Sequence, residues 1–381
     1  MARNGFRVVV LEQAERLEET GAGIQLSPNA ARILIDLGLG DRLRASAIMP
    51  EGLRVLNAAD ARELSYMPLG EAALQRYGAP YWVIHRGDLQ RALADALARE
   101  LDITLKLGVR VEDFVAHSNG VTVSVRGKAG LSDERGVALI GADGLWSVVR
   151  KRLGHPEAPR FAGRIAWRGF VPATEVVPEF RKPLIHLWMG HEAHLVHYPV
   201  KAGRIINVVV IAADSWNAPG WSEPASRADL IPRLAAKTWA PPARALVSLP
   251  EAWLKWALHD RPPIRRWSQG PVTLLGDAAH AMLPYVAQGA ATAIEDAAVA
   301  AQSLARNPDD PTAAFRSYYA IRRARVWKIQ RLAARNGARY HFGGARAALR
   351  DTAIRMLGGQ RLLRHYDWIY DWRLPPALSI R

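Results

Sequence analysis

The chain has 381 residues, 49% of them apolar, with 13 Trp, no Cys and a formal net charge of +15. That length allows two domains with ample core. The missing cysteines exclude disulfides, a thiolate nucleophile and a Cys-based metal site, and agree with a reducing, cytoplasmic setting. The start does not read as a signal peptide, and the most apolar stretch, 272–305, is broken by Asp277, Pro284 and Glu295, so no membrane span is expected.

Residues 1–6 read as the last turn of a helix stopped by Gly5, and Phe6–Glu12 as a strand. Pro28–Leu37 is predicted helical, with Ser27 as N-cap and Pro28 at the first position, ended by Gly38-Leu39-Gly40. Residues 51–84 alternate in strand fashion. Asp88–Leu101 is predicted to be an amphipathic helix from the repeat Leu89, Leu93, Leu97, Leu101. Strands follow near 103–107, 109–116 and 121–126, the last two joined at Ser118-Asn119-Gly120, and then at 137–142, before Asp143.

From Arg164 the texture changes to Trp, Pro and alternating apolar residues. Leu184–Met189, Ala193–Pro199 and Arg204–Ala212 predict a mostly antiparallel sheet facing a ligand cavity on one side. On its 193–199 strand, His194, Val196 and Tyr198 share one face and His197 takes the other. Residues 228–258 read as helix interrupted by Pro241-Pro242. Val272–Leu275 is a short strand, followed by Gly276-Asp277, a loop with Pro284 and Gly289, an Ala-rich helix carrying Glu295 and Asp296, and helices to about Leu363. Residues 311–381 hold fifteen Arg or Lys against three Asp, a local net charge of +12. Arg322, Arg325 and Lys328 recur at helical spacing with Val326, Ile329 and Leu332 on another face. No nucleic-acid motif accompanies them, so the reading is a solvated basic face and no nucleic-acid partner.

Asp277 carries the clearest chemical signal. A carboxylate where a buried strand ends reaches a ligand hydroxyl in the crevice at the carboxyl edge of a parallel sheet. Ala278, Ala279, Gly289, Ala290 and Ala291 let backbone approach a flat ligand closely. Their N–H groups near a helix start suit an anion or an electron-rich ring edge. Glu12 ends the Phe6–Glu12 strand; in dinucleotide folds an acid at the end of the second strand accepts hydrogen bonds from ribose hydroxyls.

The run Leu275-Gly276-Asp277-Ala278-Ala279-His280, with Pro284, Gln288-Gly289 and Ile294-Glu295-Asp296-Ala297 after it, resembles the second FAD-binding motif of the single-component flavoprotein aromatic hydroxylases. Salicylate, 3-hydroxybenzoate and 6-hydroxynicotinate hydroxylases belong to that group. Three more segments resemble the family in order: Val8–Gln13 with Gly21–Gln25 and Pro28-Asn29-Ala30; His85–Leu89; and Leu139–Gly144 with Ser147 and Arg150. Together they span about residues 5–335.

The resemblance implies an α/β fold: a Rossmann-like FAD-binding domain (1–60, 84–160 and 264–305), an inserted, mostly antiparallel β-sheet substrate domain (61–83 and 161–263) and C-terminal helices (306–381). It implies an FAD-dependent monooxygenase that uses NADH or NADPH and O₂ to hydroxylate a small phenolic or hydroxypyridine carboxylic acid. A larger secondary metabolite as substrate, or a flavin-free fragment without activity, are the alternatives. The positive surface would draw anionic aromatic acids and NAD(P)H. A homodimer stays open.

Cofactor contacts are expected from Glu12, Gln13, Gln25, Arg86, the backbone at Val111, Asp143 and Asp277. Catalytic contacts are expected from His194, Tyr198 and Tyr285, with Arg164 or Arg168 as carboxylate anchors. Gln25 stands where the nicotinate-type relative carries a catalytic His, and Gln cannot act as a base. His280 is expected to pack behind the motif. The sequence holds no G-x-G-x-x-G, and the family's first strand and phosphate loop are not found in it, so weak FAD binding is expected of this chain.

Overall fold

The structure, a computed structural model, describes residues 1–17, 21–217, 222–234 and 239–376. Near the start, Gly5 takes a left-handed conformation and ends a short 3₁₀ turn, Ala2–Asn4. Then come β1 (Val8–Glu12) and β2 (Gly23–Leu26), the Pro28–Asp36 helix, β3 (Gly52–Asn57), β4 (Glu63–Pro68) and β5 (Trp82–His85). The Arg86–Leu97 helix leads to β6 (Ile103–Leu107), β7 (Arg110–His117), β8 (Gly120–Gly127), β9 (Gly130–Gly136) and β10 (Leu139–Gly141). After β10 lie β11 (Arg160–Pro172), β12 (Leu184–Met189), β13 (Ala193–Val200), β14 (Ile205–Ala213), β15 (Glu223–Ala225), β16 (Trp253–Asp260), β17 (Ser268–Gln269) and β18 (Val272–Leu274). The Gly289–Arg306, Pro311–Tyr340 and Gly344–Leu357 helices dominate the rest.

Two parallel strand pairs form the part of the fold from which Glu12, Asp143 and Asp277 emerge. β1 runs beside β6, ending at Glu12 opposite Leu107, and β10 runs beside β18, ending at Gly141 opposite Leu274. Asp143 and Asp277 therefore leave neighbouring strand ends on the same edge. Among the described residues, β15-β16-β11-β14-β13-β12-β3-β4 form a sheet of eight strands, antiparallel except where β3 meets β12. Its alternation works as the sequence suggests. Trp167, Val210, Leu195 and Trp188 lie in register across four strands, and all are buried in one apolar cluster with Leu234, Trp239 and Leu246. The opposite face carries the rows Ala166–Ile211–His194, Arg168–Val209–Val196 and Phe170–Asn207–Tyr198. Tyr285, Met282, Ile329, Ala333 and Tyr340 cover that face.

Four sequence expectations need correction. Residues 253–260 are strand, not helix: Trp253, buried, starts a period-two run that pairs with β11. A helix, Gly70–Tyr77, interrupts the strands of 51–84, burying Ala73 and Tyr77 one turn apart. The helix read as 88–101 spans Arg86–Leu97, and of its leucine repeat Leu93 and Leu101 are exposed. A strict four-residue repeat drifts about 40° per step on a 3.6-residue helix, so Leu93 stands off the stripe buried at Leu89 and Ala92, and Leu101 lies beyond the helix end. The basic face at 322–328 is not simply solvated. Arg322 is fully buried, 2.6 Å from Glu295 and 2.7 Å from Asp296, and Arg325 holds Glu295 at 2.7 Å. The acids that bury these arginines sit on the Gly289–Arg306 helix, outside any local pattern.

Candidate active site

Asp277 opens the crevice. It is the first residue of a short Asp277–His280 turn of helix that follows β18 through Gly276, which adopts positive φ. Gly276 N–H donates to Asp296 at 3.2 Å, and Asp296 also holds His280, which is buried behind the turn. Solvent reaches the Asp277 side chain, yet the protein packed around it pushes its carboxyl pKa up, against the opposing charges of His280 and Arg86. Arg86 begins the Arg86–Leu97 helix, its backbone N–H on Ala22 at 2.7 Å; burial lowers its pKa and Asp277 opposes this. Nearby, the Gly289–Arg306 helix begins without a side-chain cap. Gln288, its N-cap residue, donates instead to Ser27 at 2.8 Å and accepts from Asn29 at 3.1 Å. The first-turn N–H groups stay available to a ligand.

Glu12 ends β1 and accepts from Ala14 N–H at 2.8 Å; Gln13 is exposed beside it. Val111 sits in β7 opposite Val125, half-buried, and the neighbouring Val109 N–H donates to the Glu12 carbonyl at 2.9 Å. Asp143 is engaged locally. Its carboxylate accepts from Val148 and Val149 N–H, at 2.7 and 3.1 Å, and from the Ser147 hydroxyl, capping the Val148–Arg152 helix. From that helix, buried Arg150 donates to the carbonyls of Ala278 and Ala279, both at 3.0 Å, tying the Asp143 turn to the Asp277 turn.

On β2, Gln25 accepts from the Tyr81 hydroxyl at 2.6 Å and also adjoins Tyr198 of β13. Burial raises the Tyr198 pKa to about 12. His194 is buried among Tyr285, Tyr340 and His341, with ring centroids at 5.5, 5.5 and 4.9 Å. Its Nδ1 lies 2.8 Å from His341 Nε2. Burial, with the charge of Arg164, pushes the His194 pKa down to about 3, and burial pushes the Tyr285 pKa up to about 12. His197 points to the opposite face, where it stacks on His186 at 4.3 Å.

The two arginine anchors separate. Arg164 donates to the Glu192 carbonyl and carboxylate at 2.8 and 3.0 Å. Arg168 has no acidic partner among the described residues. Its guanidinium lies over the Trp256 ring at 4.3 Å, and its buried Nε makes no hydrogen bond. Burial lowers its pKa, Tyr198 opposes this and the like charge of Arg86 adds to it. Thus Arg86, Asp277, Arg168 and Tyr198 are electrostatically linked, while Tyr285 joins His194 one row away. His341 and Tyr340 were missed in the sequence. They end a 30-residue helix, and only the helix's return to β13 reveals them. Among the described residues no group of three or more His, Asp or Glu is arranged to hold a metal.

Comparison with known proteins fits this arrangement. Residues 1–333 match the family model described as an FAD binding domain. The chain belongs to this FAD-binding family. Within it, a 3-hydroxybenzoate 6-hydroxylase of Aquipseudomonas alcaligenes is 34% identical over 98% of this chain and 92% of its own length. A 6-hydroxynicotinate 3-monooxygenase of Pseudomonas fluorescens is 33% identical over 87% of this chain and 85% of its own length. The crystal structure of Klebsiella pneumoniae R204Q HpxO complexed with FAD superposes with a TM-score of 0.82, at 25% identity, covering 96% of this chain and 92% of that one. The chain is thus a member of the flavoprotein aromatic hydroxylases, with their mixed α/β fold and FAD as cofactor. The family's cofactor fits what is present at this edge: a carboxyl whose pKa is raised, a cation that acts on it, and an uncapped helix start. No helix among the described residues is long and apolar enough to cross a membrane.

Proposed function

We infer that the chain hydroxylates a small phenolic or hydroxypyridine carboxylic acid, using NAD(P)H and O₂. When bound, FAD supplies the oxygen chemistry. The chain's residues supply binding and proton handling. Asp277 would hold a ribityl hydroxyl, Glu12 the adenosine ribose and Arg86 the flavin or pyrophosphate. Substrate would lie on the β11–β14–β13 face under Tyr285.

The observation that carries the substrate class is Arg168. An arginine taken from water without an acid is costly, and a carboxylate repays the cost through charge-assisted hydrogen bonds. Arg168 stands two strands from Val196, about 10 Å at ordinary strand spacing. Its row lies between those of His194 and Tyr198. That span suits one ring between a carboxylate on Arg168 and a hydroxyl near His194 or Tyr198. A neutral imidazole there accepts a hydrogen bond from the phenol and takes its proton as the ring attacks.

Purified protein supplied with FAD should oxidise NAD(P)H faster when a hydroxybenzoate or hydroxynicotinate is added, with a hydroxylated product. If no aromatic acid stimulates oxidation, the small-acid reading fails and a larger substrate is favoured. Asp277→Ala should weaken FAD binding about 10- to 150-fold, the loss of a charge-assisted hydrogen bond worth about 1.5–3 kcal/mol. Unchanged flavin affinity, by fluorescence titration, would leave Asp277 as a turn residue.

A further inference from the structure

We propose that His341 is a positioning residue: it holds the His194 ring in the Nδ1–H form, so that Nε2 faces substrate as a bare lone pair. The proposal rests on the reading of His194 as the group that accepts the substrate's phenolic proton.

Two imidazole nitrogens 2.8 Å apart must share one hydrogen, since two lone pairs or two N–H groups at that distance repel. Both rings are buried, and burial holds both neutral, with pKa values pushed down to about 3 for His194 and about 2 for His341. The choice of donor is made on the far side of His341. Its Nδ1 is buried and makes no hydrogen bond within ordinary limits, and the backbone group that acts on the ring, raising its pKa against burial as a carbonyl does, is that of Gly337, one helical turn back. A carbonyl only accepts. Nδ1 of His341 therefore carries the hydrogen, its Nε2 is the acceptor and His194 Nδ1 is the donor. With Nδ1 protonated in a neutral ring, His194 Nε2 has none, and no described residue hydrogen-bonds to it.

The support behind His341 is built for position. It follows the last residue of the Pro311–Tyr340 helix, and its carbonyl accepts from Glu192 N–H at 3.3 Å, beside β13. Arg350, paired with Asp351 at 2.7 Å, donates to the carbonyls of Arg339 and Tyr340 at 2.9 and 3.1 Å. The Gly344–Leu357 helix thereby clamps the end that presents His341. When substrate O–H breaks, its proton moves to His194 Nε2. The imidazolium so formed keeps its Nδ1–H bond to His341, which raises its basicity, as partners behind catalytic imidazoles do. The other groups facing the pair are Arg164 from β11, Tyr285 from the loop after Asp277, Tyr340 and Arg350.

Long-range ¹⁵N–¹H NMR of the histidine-labelled protein reads the tautomer directly, with the His194 signals assigned by their loss in His194→Ala. The expected result is His194 protonated at Nδ1 and bare at Nε2. An Nε2–H tautomer overturns the proposal, whatever the activity. In the FAD-supplied enzyme, His341→Leu should lower kcat about 10- to 100-fold with little change in KM, and shift the pH profile of hydroxylation. His341→Gln, whose carbonyl can accept from Nδ1–H, should recover most of that loss. Equal losses in Leu and Gln variants would reduce His341 to packing and also overturn it. A bare Nε2 with full activity in His194→Ala would instead sink the reading of His194 and leave the tautomer assignment standing.

Discussion

β13 carries one member of each of two imidazole pairs, one on each face, and the pairs are built differently. His194 meets His341 edge to edge, Nδ1 to Nε2 at 2.8 Å. His197 lies flat on His186 at 4.3 Å and 3°, and all four of their ring nitrogens are buried without a hydrogen bond. Phe180 closes on this second pair, 4.6 Å from the His197 ring. His194 of the first pair sits in a row with Ala166 and Ile211 beside Tyr285; the second pair belongs to the tryptophan-rich side. Same residue type, same strand and a pKa lowered by burial in both thus yield one directional pair and one stacked pair. Depth and pKa alone do not mark a functional histidine. What sets His194 apart is a hydrogen-bonded partner on one side and a row shared with Tyr285's cover on the other, the geometry on which its proposed role rests.

The largest expected effect separates the two faces. His194→Ala should cut hydroxylated product about 10²- to 10⁴-fold, the range for losing a general base, while FAD affinity stays as in the wild type. His197→Leu should leave product formation at the wild-type rate. Product by chromatography, set against NAD(P)H consumed, checks both. If the His197 variant loses as much as the His194 variant, the faces do not divide chemistry from packing.

Next in size is the arginine on the same face as His194. Arg168→Met should raise KM for an aromatic acid about 10- to 150-fold, the cost of one charge-assisted hydrogen bond of about 1.5–3 kcal/mol. The matching carboxamide should be used equally well by wild type and variant. Equal KM changes for acid and amide would mean that Arg168 shapes the wall and does not read the charge. Arg322 is the contrast: it is as deeply placed as any side chain, but Glu295 and Asp296 already neutralise it, so no ligand is called for there.

These pairings explain what the sequence could and could not tell. The turn from β18 into Asp277, the strand end at Glu12, and the shared face of His194 and Tyr198 are local, set by strand period and by glycine, and they are read directly. Arg168 was visible as a residue, but its lack of an acid depends on which strands neighbour β11. Arg164, four residues away, looks equivalent until Glu192 takes it. His341 is 147 positions from His194, and nothing near it differs from an ordinary helix end. Arg322 and Arg325 looked like solvent-facing charges because their partners lie about 30 positions upstream on another helix. Asp143 fits the family motif by sequence, and its carboxylate is spent on a helix start.

The smallest expected effect uses the stacked pair as an acid-stability probe. His186 is pushed down to about 4 by burial, with Arg54 and Lys182 adding and Glu179 opposing; His197 is held well below its usual value by burial and by His186. In the unfolded chain both titrate near 6.5. At pH 7 neither state binds these protons, and their neutral burial carries no penalty. As pH falls below about 6.5 the unfolded chain takes them up and the folded one does not, so stability falls with pH until the folded pKa is reached. Each such histidine contributes up to about 1.4 kcal/mol per pH unit in that window. His194 and His341 add in the same direction. The wild type should therefore lose denaturant stability steadily from pH 6.5 toward 4.5. His197→Leu should flatten that slope by about one proton while product formation at pH 7.5 is retained. An unchanged slope would show that the stacked pair takes up its protons when folded, and the two faces would then differ in charge as well as in geometry.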